Sequence, residues 1–346
     1  MTARLSGFAA ELEAPLLVTN LTNIFYLTGF DTSNAALLVR PTGETTLYTD
    51  FRYIEAARLL PGLDAQLTRR ALMHDVGEQL AGRVLFEADA LPYVEWLRLA
   101  AGRAELVPTS GVVEKVRAVK DADELATIGR AARIADRALE ALTAETWVGR
   151  SERELAWRLR ELTHAHGADD LGFESIVAAG ANGANPHAHP TDRIVERKSL
   201  VTVDWGVKFG GYCSDCTRTF STGGLPDRLR EIYNVCLEAQ KRACAEIKAG
   251  LTGVEADAIA REPIAAAGYA AEFGHGLGHG VGLMVHESPR LSTESTDTLR
   301  SGNVVTIEPG IYLPGVGGVR IEDLAVVRDD GVELLTSFPK ELIEVG

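Results

Sequence analysis

At 346 residues the chain exceeds the usual size of one domain and can bury a substantial core, so its length points to two domains. Acidic residues outnumber Lys plus Arg by 49 to 35, a net charge of −14, which argues against a nucleic-acid backbone as partner. No stretch approaches the roughly eighteen consecutive apolar residues of a membrane span, and the opening segment, with Glu11 and Glu13, lacks an export signal's basic start and apolar core; the expectation is a soluble, cytoplasmic protein with no membrane partner.

Up to residue 118, short apolar runs alternate with helical patterns. PLLVTN, NIFYLTGF, AALLVR and GETTLYTD lead to the helix-like FRYIEAARLL, then DVGEQLAG, RVLFEAD, LPYVEWLRLA and AELVPTS. The alternation predicts a compact α/β domain over residues 1–118. None of these segments gathers His, Cys and acids, so its expected role is structural or substrate-restricting. Asp50, Arg52 and Tyr53 in YTDFRY are its one polar cluster of note, read as a solvated helix start.

Residues 119–346 form the second expected domain. It opens on an amphipathic helix with Leu125, Ile128, Ala132, Ala135 and Leu139 at helical spacing. A weak repeat follows, at an interval of about one hundred residues. Gly149 to Glu154 and Gly250 to Glu255 share Gly-x-[Ser/Thr]-x-x-Glu, a capping box that opens a helix. In each half a histidine comes next, His187 or His286, and then an apolar strand with an acid, Asp204 in LVTVDWG or Glu308 in VVTIEPG. A glycine-containing turn and a return strand add a second acid, Asp215 or Glu322. Two such halves related by a pseudo-twofold would bring all four carboxylates to one place. Ionised groups on interior strands are costly unless paired or bound to a cation, so a metal site is the economical reading.

No matching Arg or Lys cluster is evident in these strands, so two divalent cations are expected to neutralise the acids. GHGLGHGVGLMVHE, from Gly274 to Glu287, supplies imidazoles on an extended, glycine-rich backbone from which His275 and His279 project the same way. Hard oxygen donors with one nitrogen and no thiolate favour Mn²⁺ or Co²⁺, with Zn²⁺ still open. The cysteines do not enter this set. Cys213 and Cys216 would face opposite sides of a strand, and Cys236 and Cys244 lie in a helix-like segment, so all four are read as small buried hydrophobes rather than a zinc or redox site.

With these motifs in order, the sequence resembles the pita-bread metallopeptidases, specifically the Xaa-Pro peptidases (prolidase and aminopeptidase P), over nearly its whole length. The family's ligands are an Asp ending a strand, the Asp of S-D-x-T-R, the second His of H-G-x-x-H, the Glu of E-P-G and the Glu of R-x-E; here they fall on Asp204, Asp215, His279, Glu308 and Glu322. The resemblance implies an N-terminal creatinase-like α/β domain and an α+β pita-bread catalytic domain with pseudo-twofold halves. It also implies two metal ions bridged by Asp215 and Glu322, a bridging hydroxide as nucleophile, and Glu308 as proton shuttle. His187 and His286 match its non-ligand active-site histidines, and His275, Tyr312 and Arg320 are placed in substrate binding, with an ion pair to the neighbouring metal-binding carboxylates as the other reading of Arg320. His189 is assigned to the surface.

Short peptides with proline at position two are the implied substrates, and a homodimer the implied assembly. A dipeptidase needs a cation for the product-side carboxylate, for which Arg320, Arg40 and Arg52 are candidates. Methionine aminopeptidase shares the five ligands, but residues 1–118 and Arg320 count against it. Creatinase shares the two-domain plan without the metal set. A noncatalytic peptide-binding member of the fold remains the alternative from another class, and the intact ligands and histidines count against it.

Overall fold

In the computed structural model, which describes residues 3–346, the alternating runs of the first segment become α1 (Ala3–Ala10), β1 (Leu16–Val18), α2 (Leu21–Thr28), β2 (Ala35–Val39), β3 (Thr45–Thr49), α3 (Ile54–Ala57), β4 (Asp64–Leu67), α4 (Leu72–Gln79), β5 (Arg83–Glu87), α5 (Tyr93–Ala100), β6 (Glu105–Thr109) and α6 (Val112–Arg117). The strands form one mixed sheet in the order β4-β3-β2-β1-β5-β6. Pro108 is accommodated because β6 is an edge strand. These residues form one compact unit, Met1–Arg117; the other is Ala118–Gly346.

Two local readings change. NIFYLTGF looks like an aromatic, β-branched strand but forms α2. Asn20 caps it by accepting from Thr22 N, Gly29 (φ 73°) ends it, and Ile24, Tyr26 and Leu27 are buried, so capping and packing override composition. The expected solvated helix start at Asp50 is also corrected. Asp50 is fully buried, with Oδ1 accepting from Arg52 Nε at 2.9 Å and Oδ2 from Asn34 Nδ2 at 2.6 Å; Phe51 and Arg52 are the exposed residues. Burial is tolerated there because every added bond is to a donor.

The second unit begins with α7 (Ala122–Thr143), which buries Ile128, Ala132, Ala135 and Leu139. Then come α8 (Glu152–Ala165), β7 (Asp170–Leu171), β8 (Ile176–Ala179), β9 (Leu200–Trp205), β10 (Val207–Phe209), β11 (Tyr212–Cys213) and β12 (Cys216–Ser221). After α9 (Asp227–Glu246) the second half runs α10 (Gly253–Ala266), β13 (Gly278–Gly280), β14 (Glu287–Leu291), β15 (Val304–Ile307), β16 (Gly310–Leu313), β17 (Gly317–Arg320), β18 (Asp323–Val327) and β19 (Val332–Leu334). Both expected capping boxes form, Ser151 with Glu154 and Thr252 with Glu255.

The same order of elements therefore occurs twice: a boxed helix, a histidine loop, a strand, a tight hairpin, and a return strand. In the first half β9 pairs antiparallel with β12, Asp204 opposite Thr217; in the second β15 pairs antiparallel with β18, Ile307 opposite Asp323. Asp215 and Glu322 were expected within return strands. Each instead occupies a short break, Asp215 between β11 and β12 and Glu322 between β17 and β18. A break frees a carboxylate from the up-and-down alternation of a strand and lets it turn inward. Cys213 and Cys216 flank the first break on separate strands, and all four cysteines are free, with three of them buried. No helix among the described residues is long and apolar enough to cross a membrane.

Candidate metal centre

Asp204 on β9, Asp215, His279 on β13, Glu308 just past β15, and Glu322 all line one cavity of about 410 Å³. The ligand atoms of Asp215, His279 and Glu322 lie within 4.8 Å of one another. His279 Nε2 is 3.2 Å from Glu308 Oε1 and 3.7 Å from Asp215 Oδ2. Its Nδ1 is 3.1 Å from the Gly280 carbonyl, so by this geometry Nδ1 donates outward and Nε2 faces the carboxylates.

The glycines around His279 are explained by how close other backbone comes. A Cβ on Gly278 would meet the Thr306 carbonyl oxygen at 2.1 Å, and one on Gly280 the Ser288 carbonyl oxygen at 2.2 Å. Only Gly278–Gly280 and the terminal Glu287, which opens β14, are strand, with a bulge between His279 and Gly280; the rest is bend or irregular. His275, His279 and His286 nonetheless all reach the cavity, where the rings of His279 and His286 lie 4.3 Å apart between centroids.

The electrostatics show a surplus of acid. Burial, then the charges of Glu322, Asp204 and Glu308, push the Asp215 carboxyl well above the ordinary range. Burial, then Glu308 and Asp204, do the same to Glu322. Asp204 is raised by burial despite the opposing Arg320. Burial also works against Glu308, but the hydrogen bond and charge of His279 outweigh it and bring its carboxyl down to about 2. His279 is raised in turn, as burial's lowering yields to Glu308. Asp204 Oδ1 is buried with no hydrogen-bond partner. An orphaned carboxylate oxygen beside three crowded acids and one imidazole is a donor set that a hard divalent cation would satisfy.

Arg320 departs from the charge reading made on sequence. Each return region carries one buried arginine. Arg218 turns away from the cavity, pairing with Asp323 at 2.8 Å, while Arg320 NH2 donates to Asp204 Oδ2 at 2.6 Å. Every Arg320 nitrogen is engaged: Nε donates to Thr217 Oγ1, and NH1 to Tyr312 Oη and the Pro186 carbonyl. Four of its five N–H donors are thus taken by protein groups, one on NH2 remaining, so Arg320 is held chiefly by Asp204, Thr217, Tyr312 and Pro186. Tyr312 does not line the cavity; it backs Arg320 and lies 3.0 Å from His275 Nε2, so this trio braces the wall behind Asp204. His187 and His286 line the cavity and are exposed in it; His189, assigned to the surface, is largely exposed but lines the same cavity.

Two families of chain model match this sequence: Metallopeptidase family M24 over residues 126–329, and the Creatinase/Prolidase N-terminal domain over residues 9–119. The chain belongs to metallopeptidase family M24. An uncharacterised peptidase of Bacillus subtilis is 42% identical over 335 residues, 95% of this chain and 95% of its own. An Xaa-Pro dipeptidase from Bacillus anthracis matches with a TM-score of 0.92 at 39% identity, covering 99% of this chain and 98% of its own. An X-Pro aminopeptidase from Thermotoga maritima matches with a TM-score of 0.87 at 33% identity, covering 96% and 97%. The architecture is thus a creatinase-type N-terminal domain followed by a pita-bread domain, and the M24 chain is a metallopeptidase that uses divalent metal.

Sequence reasoning missed the threonines and one arginine. Thr306 Oγ1 accepts from His279 N and donates to Glu308 Oε1; Thr217 Oγ1 donates to Glu322 Oε2 at 2.6 Å. Thr306 is two residues from the Glu308 it bonds, a spacing open to the sequence, whereas Thr217 bonds Glu322 from a distant stretch and left no local signal. Arg290, on β14 opposite His279 of β13, lines the cavity and makes no side-chain ion pair with another described residue. Arg40 bonds Thr46 and Arg52 bonds Asp50, both within the N-terminal unit.

Proposed function

We propose that this M24 peptidase cleaves the bond between an N-terminal residue and a following proline in short peptides, with two divalent cations, Mn²⁺ first among them and Co²⁺ or Zn²⁺ as substitutes, held by Asp204, Asp215, His279, Glu308 and Glu322. The observation that carries the reading is the convergence of these five side chains on one cavity, with Asp204 Oδ1 unsatisfied. Likeness to an Xaa-Pro dipeptidase and an X-Pro aminopeptidase supports the substrate class. When bound, the cations supply Lewis acidity toward the scissile carbonyl and an activated water.

The chain's own groups do the rest. Glu308, whose carboxyl is held low, accepts the proton of the attacking water and delivers it to the proline nitrogen, which has no N–H of its own and cannot leave as an anion. His187 and His286, at the cavity mouth, donate hydrogen bonds to the substrate and to charge that develops on its carbonyl oxygen. Arg320, Tyr312 and His275 fix Asp204 from behind. Arg290 favours the dipeptidase form of the reaction, because its guanidinium in the cavity suits the carboxylate of a C-terminal proline. The protein is further expected to act in the cytoplasm as a homodimer.

The test is release of leucine from Leu-Pro and Leu-Pro-Pro, and of methionine from Met-Ala-Ser, by metal-stripped protein resupplied with Mn²⁺, with Glu308→Ala as control. Cleavage of Leu-Pro alone makes it a dipeptidase, and of both proline peptides an aminopeptidase P. Turnover of Met-Ala-Ser alone would overturn the proline reading. Bound metal without any turnover would return the noncatalytic alternative.

A further inference from the structure

Glu152, the first residue of α8, is fully buried although it lies far from the carboxylate cluster in sequence and does not line its cavity. No Lys or Arg among the described residues forms a salt bridge with it. Its charge is met by donors alone. Oε1 accepts from Ala179 N at 2.7 Å; Oε2 accepts from Thr191 Oγ1 at 2.6 Å, Thr191 N at 2.9 Å and Asn182 Nδ2 at 2.9 Å. Its place at the start of α8 adds the positive end of the helix dipole.

These donors are not scattered. Ala179 ends β8, Thr191 lies a dozen residues on, and the segment between them carries His187. One carboxylate therefore grips both ends of the histidine loop and, through Asn182, its interior. The loop is held a second time from the cavity side, where Arg320 NH1 donates to the carbonyl of Pro186, the residue before His187. Between these two anchors the segment has little regular structure, a single 3₁₀ turn over Gly180–Ala184, so its placement depends on them.

We infer that Glu152 is a positioning residue that sets where His187 stands in the cavity, acting from outside it through the ends of the loop. The functional half of this inference rests on the reading of His187 given above; the structural half does not. Glu152→Gln keeps the volume but turns one acceptor oxygen into an amide that confronts N–H donors, so at least one end of the loop is released.

The experiment combines hydrogen exchange with a double-mutant cycle on metal-loaded protein. In Glu152→Gln the amides of 179–191 are expected to lose about tenfold or more in protection, in line with loss of a charge-assisted bond, while 275–286 keep theirs and metal content is unchanged. With Leu-Pro, kcat is expected to fall about tenfold with KM nearly constant, and that fall is expected to vanish in a His187→Ala background. Thr191→Val removes one donor from the same carboxylate and gives the smaller effect of the same kind, which decides the matter if Glu152→Gln does not fold. Unchanged protection of 179–191 overturns the inference, as do losses from Glu152→Gln and His187→Ala that simply multiply. Should His187→Ala leave turnover intact, the reading of His187 is what fails, and exchange alone judges the grip of Glu152.

Discussion

A carboxylate in this protein behaves as its immediate donors dictate. Asp204, Asp215 and Glu322 are raised by burial and then by one another and Glu308, Glu308 is pulled down by His279, and Asp50 lies well below the ordinary aspartate value because Arg52, foremost, and Asn34 donate to it. For Asp50 a depressed folded-state value means that its stabilisation is complete above the ordinary value of 3.8 and is lost as pH falls through the depressed one. Arg52→Ala is therefore expected to lower the urea midpoint more at pH 7 than at pH 3, and a gap independent of pH would refute the pairing. Arg290 makes the sharpest functional test at this scale. Arg290→Ala is expected to raise KM for Leu-Pro by roughly tenfold or more, the worth of a charged hydrogen bond, with kcat within a few-fold. Equal KM values for variant and parent in initial-rate measurements would remove Arg290 from carboxylate binding. The five side chains that share the cavity were legible residue by residue because each sits in a short motif of its own. Which carboxylate Arg320 pairs with, and its bonds to Tyr312, Thr217 and Pro186, were not, since those partners come from four separate stretches of chain.

At the level of elements, the glycines of the β13 segment are the clearest link from sequence to site. Alternate glycines were read as a bare extended backbone, and at Gly276, Gly278 and Gly280 the reason for bareness proves to be contact: neighbouring carbonyls occupy the space where side chains would be. Gly278→Ala would put a Cβ against Thr306 O, and its cost is expected at about 1–3 kcal/mol or more, together with loss of metal as His279 shifts. Gly274→Ala meets nothing within 4 Å and serves as the control, expected to stay close to parent stability. Calorimetry of the two variants checks the contrast, and equal melting would show that close approach is not why Gly278 is glycine. Both capping boxes were readable because the bonds involved span only three residues. The strand-like NIFYLTGF failed as a reading because eight residues of mixed pattern carry too little periodicity, and its fate was settled by Asn20, Gly29 and burial.

For the whole molecule, the proposed ligands make cation binding and folding of Ala118–Gly346 one equilibrium, because they come from both halves of that unit and gather only when it is folded. Metal removal is expected to lower the melting transition of this unit. At a free ion concentration about a hundredfold above Kd, each site adds about 2.7 kcal/mol, or roughly 5–10 °C for a unit of this size. Thermal scans with chelator and with added Mn²⁺, paired with metal analysis, test this; a transition indifferent to metal would contradict the shared site. By itself the amino-acid order determined the two-part plan, the repeated half, the identity of the clustered acids and histidine, and the helix caps, because all of these are written in local patterns or in motifs that recur along the chain. Tertiary structure alone decided which charges meet. It turned Asp215 and Glu322 inward at breaks in their strands, spent Arg320 on Asp204, left Arg290 to face the cavity, and gave Glu152 both ends of a loop, since a buried charge is settled by whichever donors folding brings within about 3 Å, and sequence distance carries no record of that.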